Sequence, residues 1–307
     1  VTDEDGNTVD EWVSKEEAHI IKGLIVGKKY KMTETKPADG YVTAESIEFT
    51  VENTKEVQKH QMLDDVTKVE ISKKDITDSS EVPGAKLIIL DKDGKKVESW
   101  TSTDKPHMVE KLPVGEYTLR EEQAPDGYLI AEDVKFTVKD TGKVQKVKMK
   151  DAHPYGKLVI KKTDSTSKAA LSGAEFELRE KESGKVVEKL VTDKTGTATS
   201  GKIPIATYKN GKVEKTVEYI LVETKAPNGY ELSSKKEEIR FEYKDRKTKV
   251  IEIVKEIKNT KSPSGSTPTG NSPKTGDSTN IWLPILLAVL SACGIGGVIW
   301  YKKKKRN

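Results

Sequence analysis

Along most of the chain, apolar residues fall in short runs or alternate with polar ones, as in KLIIL (86–90), EYTLR (116–120) and VKFTV (134–138). Asp-Gly, Asn-Gly and Pro-Gly pairs separate these runs. Alternation with a period of two sends successive side chains to opposite faces of a strand, and the glycine pairs are turn signals. The pattern predicts an all-β protein built of small sandwich domains. Helical periodicity is absent before the apolar stretch at residues 281–301.

Comparing the chain with itself shows how many domains to expect. ETKPADGY (34–41), EEQAPDGY (121–128) and ETKAPNGY (223–230) are versions of one motif, spaced 87 and then 102 residues apart. The first two copies also match through DEDGNTVDEW and DKDGKKVESW, and through EVQKHQMLDD and KVQKVKMKDA. One small domain per repeat follows. The expected boundaries are 1–65 (a partial domain whose first strand is missing), 66–152 and 153–261. The added length of the third copy falls around Asn210-Gly211, which predicts a lengthened hairpin. Loops on rigid scaffolds also carry binding sites, so a ligand role for this one stays open.

Composition narrows the function classes. Charged residues make up 34% of the 307 residues, which suits several small domains better than one large core. Five positive charges of the +4 total lie in residues 302–306, so the remainder carries −1 and offers no basic surface for nucleic acid. The single cysteine, Cys293, excludes a disulfide within the chain. His19, His60, His107 and His153 are scattered singly, in no metal-ligand spacing, and read as exposed strand or linker residues. His19 and His107 correspond between copies, which indicates a structural role for that pair. No metal, cofactor, phosphate-binding loop or nucleophile elbow is expected, nor enzymatic turnover.

Alternation places charge where a core should be. In VEISKKD, Lys73 shares a face with Val69 and Ile71; in YTLRE, Glu121 shares one with Tyr117 and Leu119; in VKMKD, Asp151 shares one with Val147 and Met149. The third copy repeats the set with Lys162, Glu223 and Asn259. A snorkelling lysine or a semi-buried ion pair would explain one such residue, but the same trio twice over points to chemistry.

These residues resemble the Cna B-type, or SpaA-like, prealbumin-fold domains of Gram-positive adhesins and pilins. The K-x-D motif falls on Lys73 and Asp75 and on Lys162 and Asp164. The E-box glutamate falls on Glu34, Glu121 and Glu223, and the last-strand Asp or Asn on Asp64, Asp151 and Asn259. The resemblance implies a spontaneous isopeptide bond from Lys73 to Asp151 and from Lys162 to Asn259, with the glutamate as proton shuttle. The first copy has no such lysine, and its adjacent Asp64 and Asp65 leave the assignment there open.

The C-terminal region reads as three parts: a Pro/Ser/Thr/Gly-rich linker (262–280), an uncharged stretch long enough to span a bilayer as a helix (281–301) and a basic tail (302–307). Positive charge stays on the cytoplasmic side, so the domains are expected outside. Ser272-Pro273-Lys274-Thr275-Gly276 precedes the span, an order that resembles the sorting signal read by sortases, with Ser272 where the family usually has Leu. The resemblance implies cleavage between Thr275 and Gly276 and covalent attachment of Thr275 to peptidoglycan. A permanent single-pass anchor is the duller alternative. The reading as a whole is the stalk of a cell-wall-anchored surface protein, adhesin in type, which carries an upstream region that could meet a host matrix or cell-surface ligand. A ligand-binding module and a pilus subunit are the alternatives, although the Tyr-Pro-Lys triplet of polymerising pilins does not occur.

Overall fold

The computed structural model describes residues 1–263, and those residues contain strands and no helix. The sorting pentapeptide Ser272 to Gly276, the apolar stretch 281–301 and the basic tail lie outside the described residues, as does the linker beyond Pro263.

In the first copy, β1 (Lys29–Met32) pairs antiparallel with β2 (Ile47–Thr50). Tyr30 is its buried apolar residue and lies against Phe49. The turn at its start is built locally, because Asp3 Oδ1 accepts the backbone N–H groups of Asp5 and Asn7. The matching turn in the second copy repeats the device, with Asp91 accepting from Asp93 and Lys95. An aspartate that bonds the backbone two residues on offers the chain a turn in place of a strand.

The second copy is a two-layer sandwich. One sheet runs in the order β6-β3-β9, from β3 (Lys68–Asp75), β6 (His107–Glu110) and β9 (Val144–Asp151). The other runs β5-β4-β7-β8, from β4 (Lys86–Leu90), β5 (Lys96–Thr101), β7 (Gly115–Gln123) and β8 (Val134–Val138). Inward residues of both sheets, among them Val69, Ile71, Leu87, Ile89, Leu119, Val147 and Met149, form one core. The first and last strands of the copy, β3 and β9, are parallel neighbours, in register from Lys68 opposite Val144 to Asp75 opposite Asp151.

The third copy repeats this plan. Its first strand, β10 (Tyr155–Asp164), pairs with the short strands β13 (Thr197–Thr199) and β14 (Ile203–Pro204) and in parallel with β19 (Val250–Asn259). The facing sheet runs β12-β11-β17-β18, from β11 (Glu175–Glu180), β12 (Val186–Val191), β17 (Glu218–Lys225) and β18 (Glu237–Arg240). The added length forms a separate hairpin of β15 (Ala206–Lys209) and β16 (Lys212–Thr216). Its turn residues, Asn210 at φ 52° and Gly211 at φ 68°, both take the left-handed conformation that a two-residue hairpin turn demands.

Candidate functional site: a buried lysine between two carbonyl side chains

The parallel pairing of first and last strands brings together side chains far apart in the sequence. Lys73 sits opposite Met149, one inward position before Asp75 and Asp151. On the facing sheet, Glu121 of β7 lies beside Leu87 of β4. Lys73, Glu121 and Asp151 are all buried among apolar side chains. Lys73 Nζ lies 3.1 Å from Glu121 Oε1 and in closer contact with Asp151 Oδ1.

The third copy forms the same cluster by the same route. Lys162 sits opposite Ile257 on the parallel strand, and Lys162, Glu223 and Asn259 are buried. Lys162 Nζ lies 2.9 Å from Glu223 Oε1 and contacts Asn259 Oδ1, while Asn259 Nδ2 donates to Glu223 Oε1 at 3.0 Å and to Oε2 at 3.2 Å. The Phe176 ring walls the amine, 5.5 Å from its nitrogen. A cavity of about 260 Å³ opens beside Glu223, lined by Phe176, Leu221, Lys235, Glu237 and Ile257 among others.

Burial sets the electrostatics. It pushes the Asp151 carboxyl up to about 7, with Glu121 adding to the rise and the Lys73 amine working against it. Burial also pushes the Lys162 amine below its ordinary range, against the pull of Glu223. Glu121 Oε1 is buried with the Lys73 amine 3.1 Å away, and Asp151 Oδ2 is buried without a hydrogen-bond donor. A proton carried between these two carboxyl groups would satisfy both atoms. Burial therefore favours the neutral Lys162 amine beside the Asn259 amide in the third copy and the protonated Asp151 carboxyl beside Lys73 in the second, each with a glutamate in contact with the lysine.

The glutamate is oriented the same way in all three copies, by a backbone N–H ten residues further on. Ala44 donates to Glu34 at 2.7 Å, Ala131 to Glu121 at 2.7 Å and Ser233 to Glu223 at 2.9 Å. The first copy goes no further. Glu34 is half-buried, Asp64 is exposed, and no lysine strand lies between them within residues 1–65. The choice between Asp64 and Asp65 is decided by register. Val42, Leu129 and Glu231 donate to the backbone carbonyls of Asp65, Ala152 and Thr260, at the end of their respective repeats. Asp64, Asp151 and Asn259, one residue earlier in each case, are therefore equivalent.

The aspartates of the K-x-D motif do not join the trio. Asp75 Oδ2 accepts from Tyr128 Oη at 2.7 Å, and Asp164 Oδ2 accepts from Tyr230 Oη at 2.9 Å, so this aspartate grips the tyrosine of the Gly-Tyr motif. Burial alone would raise Asp75, but hydrogen bonds from Thr77, Tyr128 and His153 outweigh it and hold the carboxyl at about 2. Backbone N–H groups of Ser167 and Thr166, with Tyr230, hold Asp164 at about 2.

Two histidine expectations turn out differently. His19 and His107 stack on Trp12 and Trp100, at 4.3 and 4.4 Å between ring centroids, as a repeated pair would. His153, expected in an exposed linker, is instead held against Asp75 and Tyr208. That contact joins two repeats, and a reading of each repeat alone gives no signal for it.

The fold and the repeated cluster define a class: tandem β-sandwich repeats, of which the second and third carry a lysine against the last strand. The SpaA prealbumin-like fold domain matches residues 1–65, 67–153 and 156–257, and the chain belongs to that family. The chain is similar in structure to the Bacillus anthracis TIE protein, with 30% identity and a TM-score of 0.48 over 76% of this chain and 42% of that one. It spans less than half the length of that protein. A Streptococcal ancillary pilin shows 18% identity and a TM-score of 0.29 over 78% of this chain and 76% of that one. The full-length major pilin SpaD from Corynebacterium diphtheriae shows 15% identity and a TM-score of 0.29 over 64% and 98%. No curated protein matches the chain.

Proposed function

We propose that the repeats are the structural stalk of a cell-wall-anchored surface protein, adhesin in type, stiffened by intramolecular isopeptide bonds from Lys73 to Asp151 and from Lys162 to Asn259. The observation that carries this reading is the burial, twice over, of a lysine amine against the side-chain carbonyl of the last strand with a glutamate beside both. An ordinary ion pair gains little from such burial, because desolvating the charges costs several kcal/mol per ion.

In the second repeat the neutral Lys73 amine attacks the carbonyl carbon of the protonated Asp151 carboxyl. Protonated Glu121 donates to the carbonyl oxygen and takes the proton released by nitrogen; it then passes that proton to the departing hydroxyl, which leaves as water, and recovers its own from the carbonyl oxygen. In the third repeat Lys162 attacks the Asn259 amide carbon. Glu223 passes the proton from Lys162 to the amide nitrogen, which leaves as ammonia through the adjoining cavity. Each site reacts once, so the process is maturation of the chain and not enzymatic turnover.

The strand geometry suits a load-bearing role. Tension enters along the first strand and leaves along the parallel last strand, so a bond between them carries the load past everything in between. Sortase would join Thr275 to peptidoglycan, with Gly276 onward discarded, and the stalk would stand outside the cell. Peptide mapping of a protease digest tests the bonds: a branched peptide joining Lys73 to Asp151 supports the reading, and separate unmodified peptides at both sites overturn it.

A further inference from the structure

The hairpin of β15 and β16 lies against the C-terminal end of the second repeat. The Tyr208 ring stacks on His153 with centroids 3.5 Å apart and planes 2° apart, and meets Tyr128 edge-on at 5.2 Å. Its hydroxyl donates to the Gly127 carbonyl at 2.8 Å. Tyr208 also packs against a small cluster of Val82, Ala124 and Tyr128. At the hairpin tip, Gly211 approaches the Glu81 carbonyl so closely that any Cβ would overlap it. A second strap of the third repeat adds Tyr243 Oη to the Tyr128 carbonyl at 3.1 Å and Arg246 to the Ala124 carbonyl and Asp126.

The register explains why the second repeat needs this contact. Thr67, Pro154 and Ser262 are equivalent, each two residues past the carbonyl that receives the bond from Val42, Leu129 or Glu231. Thr67 N–H donates to Gly40 at 3.1 Å and Ser262 N–H donates to Gly229 at 2.9 Å, which ties the end of the last strand to the Gly-Tyr turn. Pro154 has no N–H to give. In the second repeat the Gly127 carbonyl takes its hydrogen bond from Tyr208, a residue of the next repeat.

That turn is coupled to the reacting strands. Tyr128, next to Gly127, donates to Asp75, and His153 Nε2 lies 2.9 Å from the same carboxylate oxygen. Asp75 is two residues from Lys73 and directly opposite Asp151, and the Ile76 N–H donates to the Asp151 carbonyl at 3.1 Å. We infer that Tyr208 is a positioning residue acting across the repeat boundary: docking of the third repeat's hairpin completes the end of the second repeat and brings Lys73 and Asp151 into reacting geometry. The inference rests on the proposed Lys73 to Asp151 bond. It makes folding of the third repeat, independently of that repeat's own link, a step that assists maturation of the second.

The test follows both links in the full chain at fixed times after a pulse of synthesis, by mapping the branched peptides. Tyr208→Ala loses the hydrogen bond and the ring stack together and should slow formation of the Lys73 to Asp151 link by about tenfold or more, and leave the Lys162 to Asn259 link at its wild-type rate. Tyr208→Phe keeps the stack and loses the donor, and should fall between the two. Gly211→Ala, which would meet the Glu81 carbonyl and push the hairpin away with the Tyr208 side chain itself unaltered, should reproduce the selective delay. The Lys162 to Asn259 link reports in every variant that the third repeat has folded. If Tyr208→Ala and Gly211→Ala form the second-repeat link at the wild-type rate, the inference is overturned while the bonds stand. If wild type forms neither link, the underlying reading falls instead.

Discussion

Asn259 Nδ2 donates to both carboxylate oxygens of Glu223, at 3.0 and 3.2 Å. This fixes the amide plane and leaves Oδ1 facing Lys162. The glutamate therefore holds the group that would leave, and removing it should stop the reaction at that site alone. Glu121→Ala should abolish the Lys73 to Asp151 link and spare the Lys162 to Asn259 link, and Glu223→Ala should do the reverse. Loss of both links from either single change would show that the two clusters are not independent.

The second repeat should show a pH dependence that the third does not share. Asp151 is raised to about 7 in the folded precursor, above its unfolded value, so the protonated carboxyl stabilises the precursor at low pH. That stabilisation is lost as pH rises through about 7, and the same ionisation removes the electrophile. Refolding never-linked chain at a series of pH values should give a Lys73 to Asp151 rate that falls beyond about 7. The Asn259 amide carries no such ionisation, so identical profiles at the two sites would contradict the assignment.

The links should also be visible as stability. They span 78 and 97 residues of sequence. By analogy with a disulfide closing a loop of that length, each should contribute about 4 to 5 kcal/mol. Glu121→Gln keeps the shape of the site and removes its acid, so an unlinked Glu121→Gln chain should unfold earlier in denaturant by about that amount. The mechanical difference should be larger, since an unlinked repeat can extend under load. Equal denaturation midpoints for linked and unlinked chains would remove the staple from the account.

Anchoring is tested separately. Replacing Thr275 with Ala should leave the protein in the membrane or release it to the medium. Wild-type protein should come off intact cells with muramidase. Full release by detergent, with none by muramidase, would contradict attachment to peptidoglycan.

How far the sequence carries depends on whether a contact is made inside one repeat or between two. Alternation was enough to turn Lys73, Glu121 and Asp151 inward, because a strand with Val69 and Ile71 in the core must also bury residue 73. The Asn210-Gly211 hairpin was legible from its turn chemistry. Its destination was not, since nothing in β15 or β16 announces that Tyr208 will meet His153 of the preceding joint. Pro154 held the clue, as a residue that could not make the bond made by Thr67 and Ser262. The aspartates of the K-x-D motif were legible as a motif, while their hydrogen bonds to Tyr128 and Tyr230 needed the fold to bring together residues far apart in the chain.

The central claim is that two amide bonds form inside the folded chain, and intact mass measures this most directly. Folded protein spanning the second and third repeats should weigh less than its sequence mass by one water from Lys73 with Asp151 and one ammonia from Lys162 with Asn259. A folded protein at its full sequence mass would contradict the account.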